Sequence, residues 1–291
     1  MRKYPGLITS RRRSMFVIIR FMTTLALLFP FASLTSAFAQ CSCQESTLDK
    51  IRRVGVFTAG VRVDYPPLGF IDKSGENVGF APDLAREFAR RLGVRAKFVT
   101  TISQNRIANV VSNIIDAEIS SASITRKREE VVDFSIIYMW DEGALLVRKG
   151  ESEDPHDYVK AKGKKLSTIQ GGIYPILFKN NVGEGDFVLF QEYTDALLAL
   201  INGKVDGEVL DATNAAAFAK QYPDKVTSGP PFVRIALGIT LRQNDSKWRN
   251  WINHTLQDMW ADGTYQKLYE QYYGEKPKFY MWSPFLLEPK G

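Results

Sequence analysis

The chain has 291 residues, 45% of them apolar and 24% charged, with 38 Lys and Arg against 32 Asp and Glu for a formal net charge of +6. These proportions exclude a collagenous, low-complexity or disordered chain. Two cysteines, Cys41 and Cys43, and two histidines exclude a disulfide framework, and no Cys/His cluster offers itself to zinc.

At the N-terminus Arg2, Lys3, Arg11, Arg12, Arg13 and Arg20 precede or interrupt the apolar run FMTTLALLFPFASLTSAFAQ, which Pro30 breaks and which nears its end at Ala37-Phe38-Ala39. A basic stretch, an apolar stretch and a small-x-small ending predict a secretory signal peptide over 1–39, cleaved near Ala39. The run is short and proline-broken for a span of ~20 apolar residues. Six Lys/Arg and no Asp/Glu fall in this leader, so 32 of each remain beyond it. The basic surplus that would otherwise suggest nucleic acid or anionic lipid as partner lies in the leader, and no nucleic-acid partner is expected. Roughly 250 residues remain, enough for two lobes with separate cores.

From Arg53 short apolar runs alternate with helical patterns. VGVFT (54–58) reads as a strand, followed by a turn-rich stretch with Tyr65-Pro66-Pro67. PDLAREFARRLG (82–93) sets Leu84, Phe88 and Leu92 at helical spacing and stops at a glycine. AKFVT (96–100) reads as a strand, NRIANVVSNI (105–114) as a helix, AEISSAS (117–123) as a strand, TRKREEVVD as a helical turn and GALLVRK (143–149) as a strand. The pattern then restarts: strands at KKLSTIQ (164–170), DFVLFQ (186–191) and GEVLD (207–211), with helices at YPILFKNN, YTDALLALINGK and TNAAAFAKQY. A last strand, RIALGITLR (234–242), precedes a long amphipathic region from Ser246 to about Tyr273, in which Trp248, Trp251 and Trp260 read as packing residues. The tail EKPKFYMWSPFLLEPKG has no clear period. Two successive βαβ sets with a return segment predict two mostly parallel α/β lobes joined by more than one crossing.

In open α/β sheets ligands bind beyond the carboxyl ends of strands. Those ends carry Arg62, Asp64, Tyr65 and Phe70 after the first strand, Asn105 and Arg106 after the second, and Ser120, Ser121, Ser123 and Arg128 after the third. In the second set Gln170-Gly171-Gly172 follows one strand and Asp211 ends another. The serines of SSASITRKR also suit a helix cap, a reading compatible with an anion site.

VDYPPLGFIDKSGENVGFAPDLAREFARRLG, then NRI and an Asp, then SITRKREEVVDFS resemble the family 3 periplasmic solute-binding proteins, the polar amino-acid-binding subunits of ABC transporters. The similarity runs from about Arg53 through ADGTYQKLYEQYYG at 261–274. The resemblance implies an α/β, two-lobed periplasmic binding protein fold (type II), with the ligand cleft between lobes joined by a hinge. Lobe 1 would span 48–141 and 236–285, and lobe 2 142–235. Arg128 would hold the α-carboxylate of a free amino acid, with Ser121 and Ser123 beside it and Tyr65 stacked over the side chain. Asp211 would take the α-ammonium from the opposite lobe, and Phe70 and Gly171 would complete the site, although Phe70 reads equally as core. A guanidinium fork matches a carboxylate, and an ammonium needs an acceptor across the cleft. Arg106 stands where the glutamate- and aspartate-binding subgroup reaches the second carboxylate, with Arg62 placed to assist. Two arginines would repel a cationic ligand, so an acidic amino acid is expected. No cofactor is implied. The expected partners are the amino acid and a membrane permease, with the protein itself a monomer.

Two departures stand out. IQGGIYP has Gly172 and Ile173 where relatives carry hydroxyls, and IIYMWDEG (136–143) lacks the usual proline-tyrosine pair before the hinge. Two other functions stay open: a sensor module with a separate signalling partner, and an enzyme, since cyclohexadienyl dehydratases also resemble this family. Glu208 and Asp211 are the carboxylates an enzyme could use for acid/base work, but no G-x-S-x-G elbow is present.

Overall fold

The computed structural model describes residues 45–281 except 162. The leader expected over 1–39, both cysteines and the tail from 282 lie outside the described residues, none of whose helices is long and apolar enough to cross a membrane.

Helix α1 (Thr47–Val54) was not foreseen: Ser46 caps it, accepting from Leu48 N, and Gly55 ends it. The first strand therefore begins after Gly55, as β1 (Val56–Val61), rather than at residue 54. The turn-rich stretch folds into a small antiparallel sheet of β2 (Asp64–Tyr65), β3 (Gly69–Ile71) and β4 (Asn77–Val78). Then come α2 (Phe80–Leu92), β5 (Arg95–Thr100) and α3 (Arg106–Val111). The strand expected over 117–123 is only β6 (Ala117–Glu118), with an isolated bridge from Ser123 to Leu237. α4 (Arg126–Glu129) follows it.

The strand read at 143–149 is the second half of a 17-residue strand, β7 (Val132–Arg148). Beyond it lie α5 (Pro155–Lys160), β8 (Lys165–Ile169), α6 (Tyr174–Asn181), β9 (Asp186–Phe190), α7 (Tyr193–Ile201), β10 (Gly207–Asp211), α8 (Ala212–Gln221), β11 (Val226–Ser228) and β12 (Val233–Arg242). The long helical region is two helices, α9 (Ser246–Ala261) and α10 (Thr264–Tyr273), because Gly263 takes a left-handed φ of 81° between them.

The main sheet runs β5-β1-β6-β12-β7-β10-β8-β9, with β11 also on β7. At one end β5, β1 and β6 are parallel, and at the other so are β10, β8 and β9. Between them β7 and β12 pair antiparallel, from Val132 opposite Arg242 to Gly143 opposite Val233. Past Gly143 the same β7 turns to pair with β10, where Asp211 sits opposite Gly143. One long strand, β7, thus joins the two parallel sets, with β12 paired along its first half. Gly143 must be small there, since a Cβ would come within 2.7 Å of Val233 and 2.9 Å of the Tyr174 ring.

Beneath the first lobe, Trp248 is fully buried, stacks on Trp251 at 5.3 Å between ring centroids, meets Phe57 edge-on and donates its indole N–H to Asp116 O at 2.9 Å. Burial of rings whose one polar atom is satisfied is among the strongest contributions to such a core. The tryptophans are packing residues, as expected. Trp248 thus packs against the amino-terminal ends of β1 and β6, away from the strand ends that carry the candidate site residues.

Candidate ligand-binding site

After β6 the chain leaves the sheet and Thr125 caps the short turn of α4 by accepting from Arg128 N at 3.3 Å. That turn sends the Arg128 side chain back over its own strand end, where it donates to Ser123 O at 2.7 Å. Its other terminal nitrogen reaches Gly171 O in the second lobe at 3.1 Å. Ser121 and Ser123 are buried beside this path. Ser120 turns the other way and donates to Glu118, as alternation along an extended segment dictates. Among the described residues Arg128 makes no ion pair. Burial, and then the nearby Arg106 charge, pull its pKa down to about 10. The guanidinium is thus ionised at neutral pH yet matched only by carbonyls, the condition of a site that gains by accepting an anion.

Across the cleft Asp211 ends β10 at the N-cap position of α8, but its side chain caps nothing. The carboxylate instead accepts from the hydroxyls of Tyr65, in the first lobe, and Tyr174, in the second. Burial raises its pKa, while the two tyrosine bonds and the arginines Arg106 and Arg62 oppose the rise. An ammonium at this carboxylate would compensate the buried negative charge. Tyr174 was not foreseen as a site residue. The loop that lacks hydroxyls at Gly172 and Ile173 supplies one at the next position, aimed at Asp211 rather than Arg128. The Tyr-Pro pair at 174–175 was the one available signal.

Tyr65 is buried, and its ring meets Tyr193 edge-on at 4.9 Å. Phe70 lies half-buried on β3, opposite Asp64 in the small sheet. Gly171, at φ 80°, brings the second lobe's loop so close that a Cβ would stand 3.0 Å from Ser103 O. Among the described residues four hydrogen bonds cross the cleft, Tyr65 to Asp211, Arg128 to Gly171 O, Tyr193 N to Asp64 at 2.9 Å, and Asn214 Nδ2 to Pro66 O at 2.8 Å, besides those of Thr213 to Asp141 on β7.

Arg62 and Arg106 carry the correction. Both are buried rather than solvated, at 1% and 3% exposure. Arg62 is not a free charge: its Nε and a terminal nitrogen grip both oxygens of Asp64, at 2.8 and 2.6 Å. Its other terminal nitrogen meets Ser103 Oγ at 3.2 Å. Arg106 faces Glu118, which is fully buried, with 4.0 Å between nitrogen and oxygen. Thr240 and Ser120 also donate to that carboxylate. The uncompensated double positive charge on which an acidic ligand was inferred is therefore absent. What Arg106 lacks is acceptors. Its one hydrogen bond, to Ser120 Oγ, is 3.4 Å long, and its Nε has no partner among the described residues. Asp64 stands among the strand-end residues of the sequence and Glu118 near the start of AEISSAS, but their pairing is set by three-dimensional approach.

Two further carboxyls lie near the hinge. Asp141, on β7, accepts from Thr213 N at 3.3 Å, from Thr213 Oγ1 and from Glu142 N at 2.8 Å. Burial and then Asp211 raise it to about 8. Glu208 alternates with Asp211 along β10 and so points to the opposite face of the sheet. Both its oxygens are without partners among the described residues, and burial followed by the Asp64 charge raises it. The two carboxylates that an acid/base reading would join are therefore on different faces.

The profile described as bacterial extracellular solute-binding proteins, family 3, matches residues 57–275. The chain is 28% identical over 231 residues to the L-cystine-binding protein TcyJ of Escherichia coli, covering 79% of this chain and 87% of that one. It is 28% identical over 238 residues to the ABC transporter glutamine-binding protein GlnH of Bacillus subtilis, at 80% and 87% coverage. Among solved structures, a mutant of ArgBP from T. maritima superposes with a TM-score of 0.72 at 34% identity, covering 79% of this chain and all of that one. These similar proteins are binding proteins rather than enzymes, and the two-lobed architecture with its interlobe cleft is theirs as well. On the match across 57–275 and the shared fold, the chain belongs to the family 3 bacterial extracellular solute-binding proteins.

Proposed function

We propose that the protein is the extracytoplasmic binding subunit of an ABC transporter and closes on a zwitterionic α-amino acid with an uncharged polar side chain. The observation that carries this reading is the opposition of Arg128, with no carboxylate partner, and Asp211, with only hydroxyl donors, across one cleft. An α-carboxylate at the first and an α-ammonium at the second would bridge the lobes. Ser121 and Ser123 would flank the carboxylate, Gly171 would face it from the second lobe, and Tyr65 would cover the side chain.

The side-chain class follows from charge balance. Arg62, Arg106 and Arg128 are offset by Asp64, Glu118 and Asp211, so the cleft is neutral before any ligand enters. A zwitterion with an uncharged side chain keeps it so, whereas an acidic or cationic side chain would bring a buried charge without a counterion. The orphan Nε of Arg106 asks for an acceptor such as an amide carbonyl. The relatives named for cystine and glutamine are consistent with this class. We further propose the lobe limits expected from the sequence, 48–141 with 236–285 and 142–235, with β7 and β12 as the hinge. Processing near Ala39, a periplasmic location, a monomeric state and delivery to a membrane permease complete the reading.

Calorimetric titration of the mature chain with glutamine, cystine, glutamate, aspartate, lysine and arginine is the test. A neutral polar amino acid is expected to bind tightest, by at least ~10-fold or 1.4 kcal/mol over charged ones. If no amino acid binds tighter than about millimolar, roughly −4 kcal/mol, the reading is wrong.

A further inference from the structure

We propose that Asp64 is a positioning and specificity residue of this cleft: it locks Arg62 in place and caps helix α7 from the opposite lobe. Asp64 is 6% exposed and carries three hydrogen bonds. Two come from Arg62 in a parallel, two-pronged grip at 2.8 and 2.6 Å, and the third is Tyr193 N at 2.9 Å. Tyr193 is the first residue of α7, and the residue that should cap that helix, Glu192, makes no side-chain cap bond. A nine-residue helix of the second lobe thus has one of its free N–H groups satisfied by a carboxylate of the first.

Arg62 completes the arrangement. Its guanidinium lies 4.9 Å from the centre of the Tyr193 ring, and Tyr65, beside Asp64 in the chain, meets the same ring from the edge. Its other terminal nitrogen donates to Ser103 Oγ. The Nε-side fork of Arg62, which could grip a ligand carboxylate, is already filled by Asp64. With Asp64 in place, the Arg62 end of the cleft is neutral and shaped; without its charge, Arg62 is a buried cation in search of an anion. One residue thus links side-chain choice to closure, because its third bond forms only when the lobes meet.

The specificity half of this inference rests on the amino-acid reading above, and the capping half does not. The experiment uses the mature full chain, its Asp64→Asn variant and the double variant Arg62→Gln/Asp64→Asn. In titrations with glutamine and glutamate, Asp64→Asn is expected to shift the preference toward glutamate by at least tenfold, and the double variant to return it toward the wild-type ratio. A merely structural role would weaken both ligands together, and an unchanged ratio overturns the specificity claim. Amide hydrogen exchange is measured on the same proteins, with and without the amino acid. Exchange at Tyr193 and the first turn of α7 is expected to quicken by about tenfold in Asp64→Asn, with α2 and α9 unchanged. Unaltered protection at Tyr193 in every state overturns the capping claim. Wild-type protein that binds no amino acid while Tyr193 exchange still responds to Asp64→Asn removes the amino-acid reading and the specificity half, and leaves the cap standing.

Discussion

Arg128 has two carbonyls for partners and a like charge, Arg106, for a neighbour. A residue held so has little to offer the folded state and much to offer an anion, since charge-assisted, two-pronged bonds to a carboxylate are about twice as strong as neutral ones. Arg128→Ala is therefore expected to weaken amino-acid binding by roughly 100-fold, about 3 kcal/mol, in calorimetry, with little change in melting temperature. A thermal loss as large as the binding loss would instead make Arg128 a structural residue. Its position was legible in the sequence because the SITRKR stretch comes at a strand end and matches a family pattern. Arg62 and Arg106 were visible by the same means, but their carboxylate partners were not. The pattern along the chain reports which residues approach a cleft, not which of them have already neutralised each other.

At the scale of elements, the hinge carries the unusual chemistry. Asp141 on β7 holds the first turn of α8 through Thr213 N and Oγ1, next to Asp211. Burial and that neighbour lift its pKa from 3.8 to about 8. The folded chain thus keeps a proton that the unfolded chain releases near 3.8, so between these values folding takes up a proton and stability falls as pH rises. Asp141→Asn keeps an acceptor for Thr213 and removes the titration. Its melting temperature relative to wild type is expected to improve from pH 5 to pH 8, as read by differential scanning calorimetry at both; parallel curves would argue against the assignment. The hinge was half-legible. GALLVRK reads as a strand by its apolar run, but the preceding IIYMWDEG carries Asp141 and Glu142 and does not alternate cleanly. Only pairing to β12 on one side and β10 on the other makes it one strand. The helix α1 was obscured for a related reason: its polar run TLDKIRRV folds as a helix because Asp245, nearly two hundred residues away, accepts from Thr47 N and Ser46 Oγ.

On the scale of the molecule, four hydrogen bonds among the described residues tie the lobes across the cleft, and two involve the residues proposed to bind the ligand ends. A ligand that bridges Arg128 and Asp211 favours the same approach of the lobes, so binding and closure share one equilibrium. Small-angle scattering of the mature chain is expected to give a smaller radius of gyration on saturation with its tightest amino acid. Thermal stability should rise with it, by ~2.7 kcal/mol at a hundredfold excess over Kd. A radius indifferent to a ligand that binds would separate binding from closure.

The sequence by itself determined the two successive βαβ sets, the strand ends that carry Arg128, Tyr65 and Asp211, and the family resemblance that joins them. Those are local patterns of apolar spacing and turn residues, which a chain displays before it folds. Only the tertiary structure decided how the charges of the cleft are matched: Asp64 on Arg62, Glu118 beside Arg106, and Tyr65 and Tyr174 on Asp211. Electrostatic matching depends on distance and burial across separate strands and lobes, and neither is written in the order of the residues.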